Sequence, residues 1–65
     1  MKEYLFKLFL GEALSGEGYG CGNNALEAFE TGIEQGSVII PNGQEIEVLA
    51  ILSSGLGFRF TAYKQ

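Results

Sequence analysis

Apolar and polar residues alternate along the first ten positions of the chain, with aromatic and aliphatic side chains on one parity and a mixture of apolar and charged ones on the other. Aromatic enrichment together with one clean apolar parity predicts a strand over residues 2–10. A helix is the alternative, because several of the same apolar residues also recur at helical spacing. The apolar parity consists of Tyr4, Phe6, Leu8 and Leu10.

The second half of the chain predicts three further strands. A short apolar run covers residues 37–40, and a Pro-Asn-Gly sequence, which is a strong turn signal, follows it. Residues 45–52 alternate at first and then become apolar on both parities, as is typical of an interior strand. A serine-glycine turn then leads into a last strand over residues 57–64.

One helix is predicted between these two regions. Asn24 is a good N-cap, and Glu27 lies three residues further on, which is the spacing of a capping box. Gly36 is a natural place for the helix to end. Apolar residues at helical spacing between these limits predict the side that faces the sheet. The predicted buried stripe consists of Leu26, Phe29 and Ile33.

Residues 11–22 are predicted as a glycine-rich connection between the first strand and the helix. Glycine occupies every second position from Gly16 to Gly22, so these glycines would all face one way if the segment is extended. The expected fold is a single α+β domain over residues 1–65 with the element order β-α-β-β-β. It is a small, mostly antiparallel sheet with one helix packed on one face.

The composition excludes most catalytic and metal-binding chemistry. The 65 residues contain no histidine, no aspartate and one cysteine, so a zinc site with ordinary Cys/His ligands and an intrachain disulfide are both impossible. We therefore expect no catalytic residue, no metal and no cofactor. An enzyme would need a site shared between subunits.

The charge and hydropathy of the chain restrict its partners. A net charge of −4 with only four lysines and arginines argues against nucleic acid as a partner. No apolar stretch approaches the roughly 18 residues of a membrane span, and charges interrupt the apolar start, so neither a membrane partner nor a targeting segment is expected. The lone cysteine is consistent with a cytoplasmic setting.

The sheet face opposite the helix is predicted to be an interface. One helix covers one face of the sheet, so the apolar residues of the other face would form an exposed patch. A large exposed apolar patch marks an interaction surface. We expect a homodimer made by stacking two such sheets. A foreign protein, for which the chain would be an adaptor or inhibitor, and internal cover by the glycine-rich segment are the alternatives. The predicted interface residues are Leu5, Phe9, Leu49, Ile51 and Tyr63.

An acidic stripe on the helix is the second predicted contact surface. Glu27, Glu30 and Glu34 follow the same spacing as the apolar stripe. Such a row is usually a solvated face, and it would also attract a basic protein through complementary charge.

A small-ligand site is the alternative function. Residues 20–25 match the pattern G-x-G-x-x-A and open a helix, where backbone N–H groups can hold an anion or a nucleotide. The segment has no phosphate-loop lysine and begins well after the first strand, so a plain glycine-rich connection is the competing interpretation. The candidate ligand-binding residues are Gly18, Gly20, Cys21, Gly22, Asn23 and Asn24.

Overall fold

The computed structural model describes residues 1–64, which form four strands and one helix. The elements are β1 (Lys2–Leu10), β2 (Ala13–Gly22), α1 (Ala25–Glu34), β3 (Glu45–Leu52) and β4 (Gly57–Tyr63). The strands form one antiparallel sheet in the order β2-β1-β3-β4, and α1 packs on one of its faces, so the α+β class is confirmed. Within these residues, no helix is long and apolar enough to cross a membrane.

The element order is β-β-α-β-β, and the predicted order β-α-β-β-β was wrong in two places. The glycine-rich segment is a strand, β2, which pairs with β1 along its whole length. Residues 37–40 join no ladder. Buried and exposed side chains do alternate along this segment, since Val38 and Ile40 are buried while Ile39 is 79% exposed. The segment contributes these two side chains to the core without entering the sheet.

Two hairpins make up the sheet. In the first, a tight turn with Gly11 at a φ of 66° connects β1 to β2. In the second, a turn with Gly55 at a φ of 97° connects β3 to β4. Both turns need the left-handed conformation that glycine adopts without strain. The ladder between β1 and β3 is the one that holds the two hairpins together.

The face that carries α1, called here the inner face, contains the core. Phe6 and Phe29 meet edge to face with ring centroids 5.2 Å apart, and Phe29 meets Phe60 in the same way at 5.2 Å. Aromatic pairs of this kind contribute about 0.5–1.5 kcal/mol beyond the area they bury. Phe29 therefore connects the helix both to the central strand and to β4. The largest fully buried side chains are Phe6, Leu8, Ile46 and Val48.

The helix approaches β2 with its backbone rather than with side chains. A Cβ atom on any of the inner-face glycines of β2 from position 18 onward would come closer than 3.0 Å to a backbone atom of Ala28 or Ser37. On the helix side, a Cβ at position 32 would come within 2.7 Å of the Tyr19 carbonyl oxygen. This contact, called here the glycine seam, consists of Gly18, Gly20, Gly22 and Gly32.

The buried side of α1 differs from the prediction at one residue. Ala28, Phe29 and Gly32 are buried and Ile33 is partly buried, whereas Leu26 is 61% exposed. Because the glycine seam admits only small groups between α1 and β2, the helix turns its alanine and glycine toward that strand. Leu26, expected in the buried stripe, is consequently left in solvent.

Candidate functional site

The face of the sheet without a helix is called here the open face. The register places Tyr19, Leu5 and Ile51 in one row across β2, β1 and β3, because Leu5 pairs with both of the others. The next two rows are Glu17, Lys7, Leu49 and Arg59, and Leu14, Phe9, Glu47 and Thr61. The apolar centre of these rows, called here the open-face patch, consists of Leu5, Phe9, Tyr19, Leu49 and Ile51.

All five predicted interface residues lie on the open face, but the sheet does not bring all of them together. Leu5, Leu49 and Ile51 are neighbours on the two central strands, and Phe9 lies one row further along β1. Each of these four is partly buried. Tyr63 pairs with Glu45 at the far end of the edge strand β4 and is 59% exposed, so it lies apart from the patch.

Two large apolar residues of the open face were not predicted from the sequence. Tyr19 is 59% exposed beside Leu5, and Leu14 is 55% exposed beside Phe9. Both belong to β2, which was predicted as a connection. The signal was present, since strict glycine alternation places Tyr19 opposite in parity to the glycines of an extended segment.

Two ion pairs lie on either side of Leu49. The Lys7 ammonium is 4.0 Å from the Glu17 carboxylate, and the Arg59 guanidinium donates to the Glu47 carboxylate at 2.9 Å. All four side chains are substantially exposed, and such pairs contribute only about 0–1 kcal/mol to folding. Lys7 lies between Leu5 and Phe9 on β1, and Arg59 and Glu47 lie beside Leu49, so the charges within and next to the apolar patch are already paired.

The open face also carries two shallow depressions, one toward each end. The first, of about 230 Å³, is lined mainly by Leu5, Tyr19 and Ile51. The second, of about 310 Å³, is lined by Phe9, Gly11, Glu12, Glu47 and Arg59. The row that contains Lys7 and Leu49 separates them. A side chain that protrudes from another molecule would therefore fit into either depression.

The predicted ligand-binding residues of β2 fall on both faces of the sheet. Gly18, Gly20 and Gly22 lie in the glycine seam, where the backbone of α1 and of Ser37 occupies the space left by their missing side chains. Cys21 is exposed on the open face. The glycines thus serve the close approach of the helix, and ligand binding at them stays a prediction.

The N-terminus of α1 is capped by its own side chains. The Asn24 side-chain Oδ1 accepts the Glu27 N–H at 2.9 Å, and the Glu27 carboxylate accepts the Asn23 N–H at 3.3 Å. The N-cap predicted at Asn24 is therefore confirmed. A carboxylate already lies where an anion would have to bind, and this geometry disfavours the G-x-G-x-x-A interpretation.

The predicted acidic surface is a solvated helix face. Glu27, Glu30 and Glu34 are all exposed, and a basic partner for them stays a prediction. Among residues 1–64, no three acidic or cysteine side chains come together in a group that would hold a metal ion.

Among the described residues, the open face is the most distinctive surface feature. No family model matches the chain, and comparison with curated proteins and with solved structures finds no significant match. The open face combines apolar residues on its middle strands, charges among and beside them that are already paired, and shallow depressions at its ends. This combination is suited to holding another protein surface.

Proposed function

We propose that the protein is a non-enzymatic interaction protein that works as a homo-oligomer, in which two copies stack their open faces. The observation that carries this proposal is the open-face patch. Leu5, Leu49 and Ile51 form an apolar centre on the two middle strands, and Tyr19 extends it toward the edge. Adjacent apolar residues on one uncovered face are typical of an interaction surface.

The dimensions of the chain support a second copy as the partner. The Cα atoms span 30 × 23 × 15 Å, so the open face offers roughly 700 Å². Standard protein interfaces bury about 600–1,000 Å² on each partner. Two open faces would therefore cover each other almost completely, in the face-to-face packing that sheets adopt at about 10 Å separation.

Stacking would also compensate for the small size of the chain. A core of this size supplies only about 3–5 kcal/mol, and small domains usually gain further stability from a disulfide, a metal or association. The single cysteine, Cys21, forms no intrachain disulfide. Because Lys7 and Arg59 already have acidic neighbours, a stack would bury no unpaired charge near its centre.

The acidic side of α1 would remain available in such a dimer, because it lies on the opposite layer from the open face. We propose that the dimer acts as an adaptor or inhibitor of a larger protein, with Glu27, Glu30 and Glu34 contacting a basic surface. The proposed setting is the cytoplasm, where an exposed free thiol such as Cys21 stays reduced.

The test replaces single open-face residues with glutamate. Leu49→Glu places a charge at the centre of the patch. Tyr19→Glu places a charge at an exposed position of the patch, where the substitution carries little risk to folding. Ile39→Glu is the matched control, because Ile39 is an exposed apolar residue outside the open face. Sedimentation equilibrium measures the mass, and circular dichroism confirms that each variant is folded.

We expect each open-face variant to halve the size of the assembly, and Ile39→Glu to leave it unchanged. The two-fold stack uses the same patch on both copies, so one substitution introduces two glutamates into the interface. A monomeric wild type, or two open-face variants with the wild-type mass, would contradict the proposal.

A further inference from the structure

Strand β4 is an edge strand with unpaired backbone groups. Its ladder with β3 runs from Gly57 to Tyr63, and no element of the described chain lies on its other side. Just past this ladder, the Leu52 N–H donates to the Leu56 carbonyl at 2.9 Å. Hydrogen-bonded and non-hydrogen-bonded pairs alternate in an antiparallel ladder, so the even-numbered residues of β4 bond to β3. The residues whose N–H and C=O groups point to the open edge are Gly57, Arg59, Thr61 and Tyr63.

The other edge of the sheet, β2, is protected. The same alternation, carried across β3 and β1, directs the Tyr19 carbonyl to that edge, and there it accepts the Ser37 hydroxyl. Ser37 also lies against Gly18. In addition, the ladder between β1 and β2 carries a register shift beyond Leu8. Cover by a neighbouring segment and local irregularity are two of the ways in which proteins prevent edge pairing.

Strand β4 has none of these protections. Gly57–Tyr63 contains no proline and one charged residue, Arg59, whose guanidinium is already paired with Glu47. The inner-face side chains of the strand are also incompletely buried, since Phe58 is 50% exposed and Phe60 is only partly buried. Free backbone groups and exposed aromatic rings thus occur together on one edge.

We propose that β4 pairs antiparallel with β4 of a second copy, about a two-fold axis through Phe60. In this register, Arg59 of each copy lies opposite Thr61 of the other, and Gly57 lies opposite Tyr63. All four edge-facing residues then fall in hydrogen-bonded pairs. Phe60 meets its own equivalent in a non-hydrogen-bonded pair, where side chains approach most closely.

The neighbouring registers are worse for definite reasons. An axis through Arg59 would place two guanidinium groups opposite each other, which is destabilising. An axis through Thr61 would shorten the overlap, because Gly57 would lie opposite a residue beyond Tyr63. An axis between two residues would place each edge-facing residue opposite a residue whose backbone groups already bond to β3. The register through Phe60 uses the whole strand and avoids all three faults.

This contact goes beyond the open-face stack and is compatible with it. The two-fold axis of an antiparallel pair is perpendicular to the sheet, so both open faces remain on the same side. Two chains would form one eight-stranded sheet, and two such sheets would stack into a tetramer. The partner at the edge is thus a second copy of this chain.

The test uses proline at an edge-facing position. Thr61→Pro removes an N–H that points to the open edge and no bond to β3, and strand edges accept proline. Thr61→Ala keeps the N–H and is the matched control. We expect a tetrameric wild type, a dimer for Thr61→Pro, a dimer for Leu49→Glu and a monomer for the double variant. Thr61→Ala should remain tetrameric.

The two proposals fail in different ways. Wild-type mass for Thr61→Pro overturns the edge pairing, whereas wild-type mass for Leu49→Glu overturns the open-face stack. If Thr61→Pro fails to fold, amide hydrogen exchange of the wild type decides. Slow exchange at Arg59 and Thr61 supports edge pairing, and fast exchange at both overturns it.

Discussion

The two halves of the inner face are covered by different means. Over β2, α1 lies backbone to backbone along the glycine seam, and over β1 it packs the Phe29 ring against Phe6. On the other half, most of the inner-face side chains of β3 are buried, but over β4 the helix contributes little more than the Phe29 ring against Phe60, and Phe58 stays 50% exposed. A helix is about 10 Å wide and strands lie about 4.8 Å apart, so one helix covers about two strands. The comparison shows that close packing of α1 on β2 leaves the inner face of the opposite edge strand, β4, incompletely covered.

The largest expected effect is the difference in unfolding free energy lost when each of two phenylalanines is replaced by alanine. Phe6 is 0% exposed beneath α1, and Phe6→Ala should cost about 3–5 kcal/mol, enough to unfold the chain. Phe58→Ala, on the incompletely covered strand β4, should cost about 1 kcal/mol. Urea denaturation at one protein concentration measures both, because association adds to stability. Equal losses would show that the two halves are equally well packed.

The second effect concerns two glycines of β2 that face the same way. Gly20→Ala forces a Cβ against the Ala28 carbonyl, and moving the helix should cost about 1–3 kcal/mol. Gly16→Ala meets only the Leu8 side chain at 3.9 Å, so it should be neutral or stabilise by up to about 1 kcal/mol. Thermal unfolding of the pair tests the seam. A harmless Gly20→Ala would mean that α1 does not lie this close.

The smallest effect is expected at the protected edge of β2. The Ser37 hydroxyl donates to the carbonyls of Tyr19 and Gly32, so Ser37→Ala should cost about 1 kcal/mol. Exchange of the neighbouring amides should also become faster, because the β2 edge loses part of its cover. Ser54→Ala, in the exposed turn before β4, is the control and should change neither quantity. Unchanged stability and exchange in Ser37→Ala would remove the contrast between the two edges.

Most elements of the fold were predictable because side-chain pattern determines them. β1, β3 and β4 alternate or are aromatic, and α1 begins at a recognisable cap. The strand β2 was not predictable in the same way, because glycine disfavours strands and has no side chain to show a pattern. Its strand conformation comes from pairing with β1 and from the approach of α1.

The remaining errors have the same origin. Leu26 fits the helical period as well as Ala25 does, and only the narrow space over Gly20 and Gly22 decides which side of α1 faces the sheet. The open-face residues of β1 and β3 were predictable from parity. Tyr19 was not assigned to the interface because its strand was not recognised, and the position of Tyr63 at a corner depends on strand order.

The ladder between β1 and β3 has a consequence for the folding rate. Each hairpin joins residues that are close in sequence, such as Leu10 with Ala13, whereas this ladder joins Tyr4 to Leu52. Closing a chain segment of that length costs entropy before any contact compensates for it. The two hairpins are therefore expected to form early, and their meeting along β1 and β3 to limit the rate at which the chain reaches its native state.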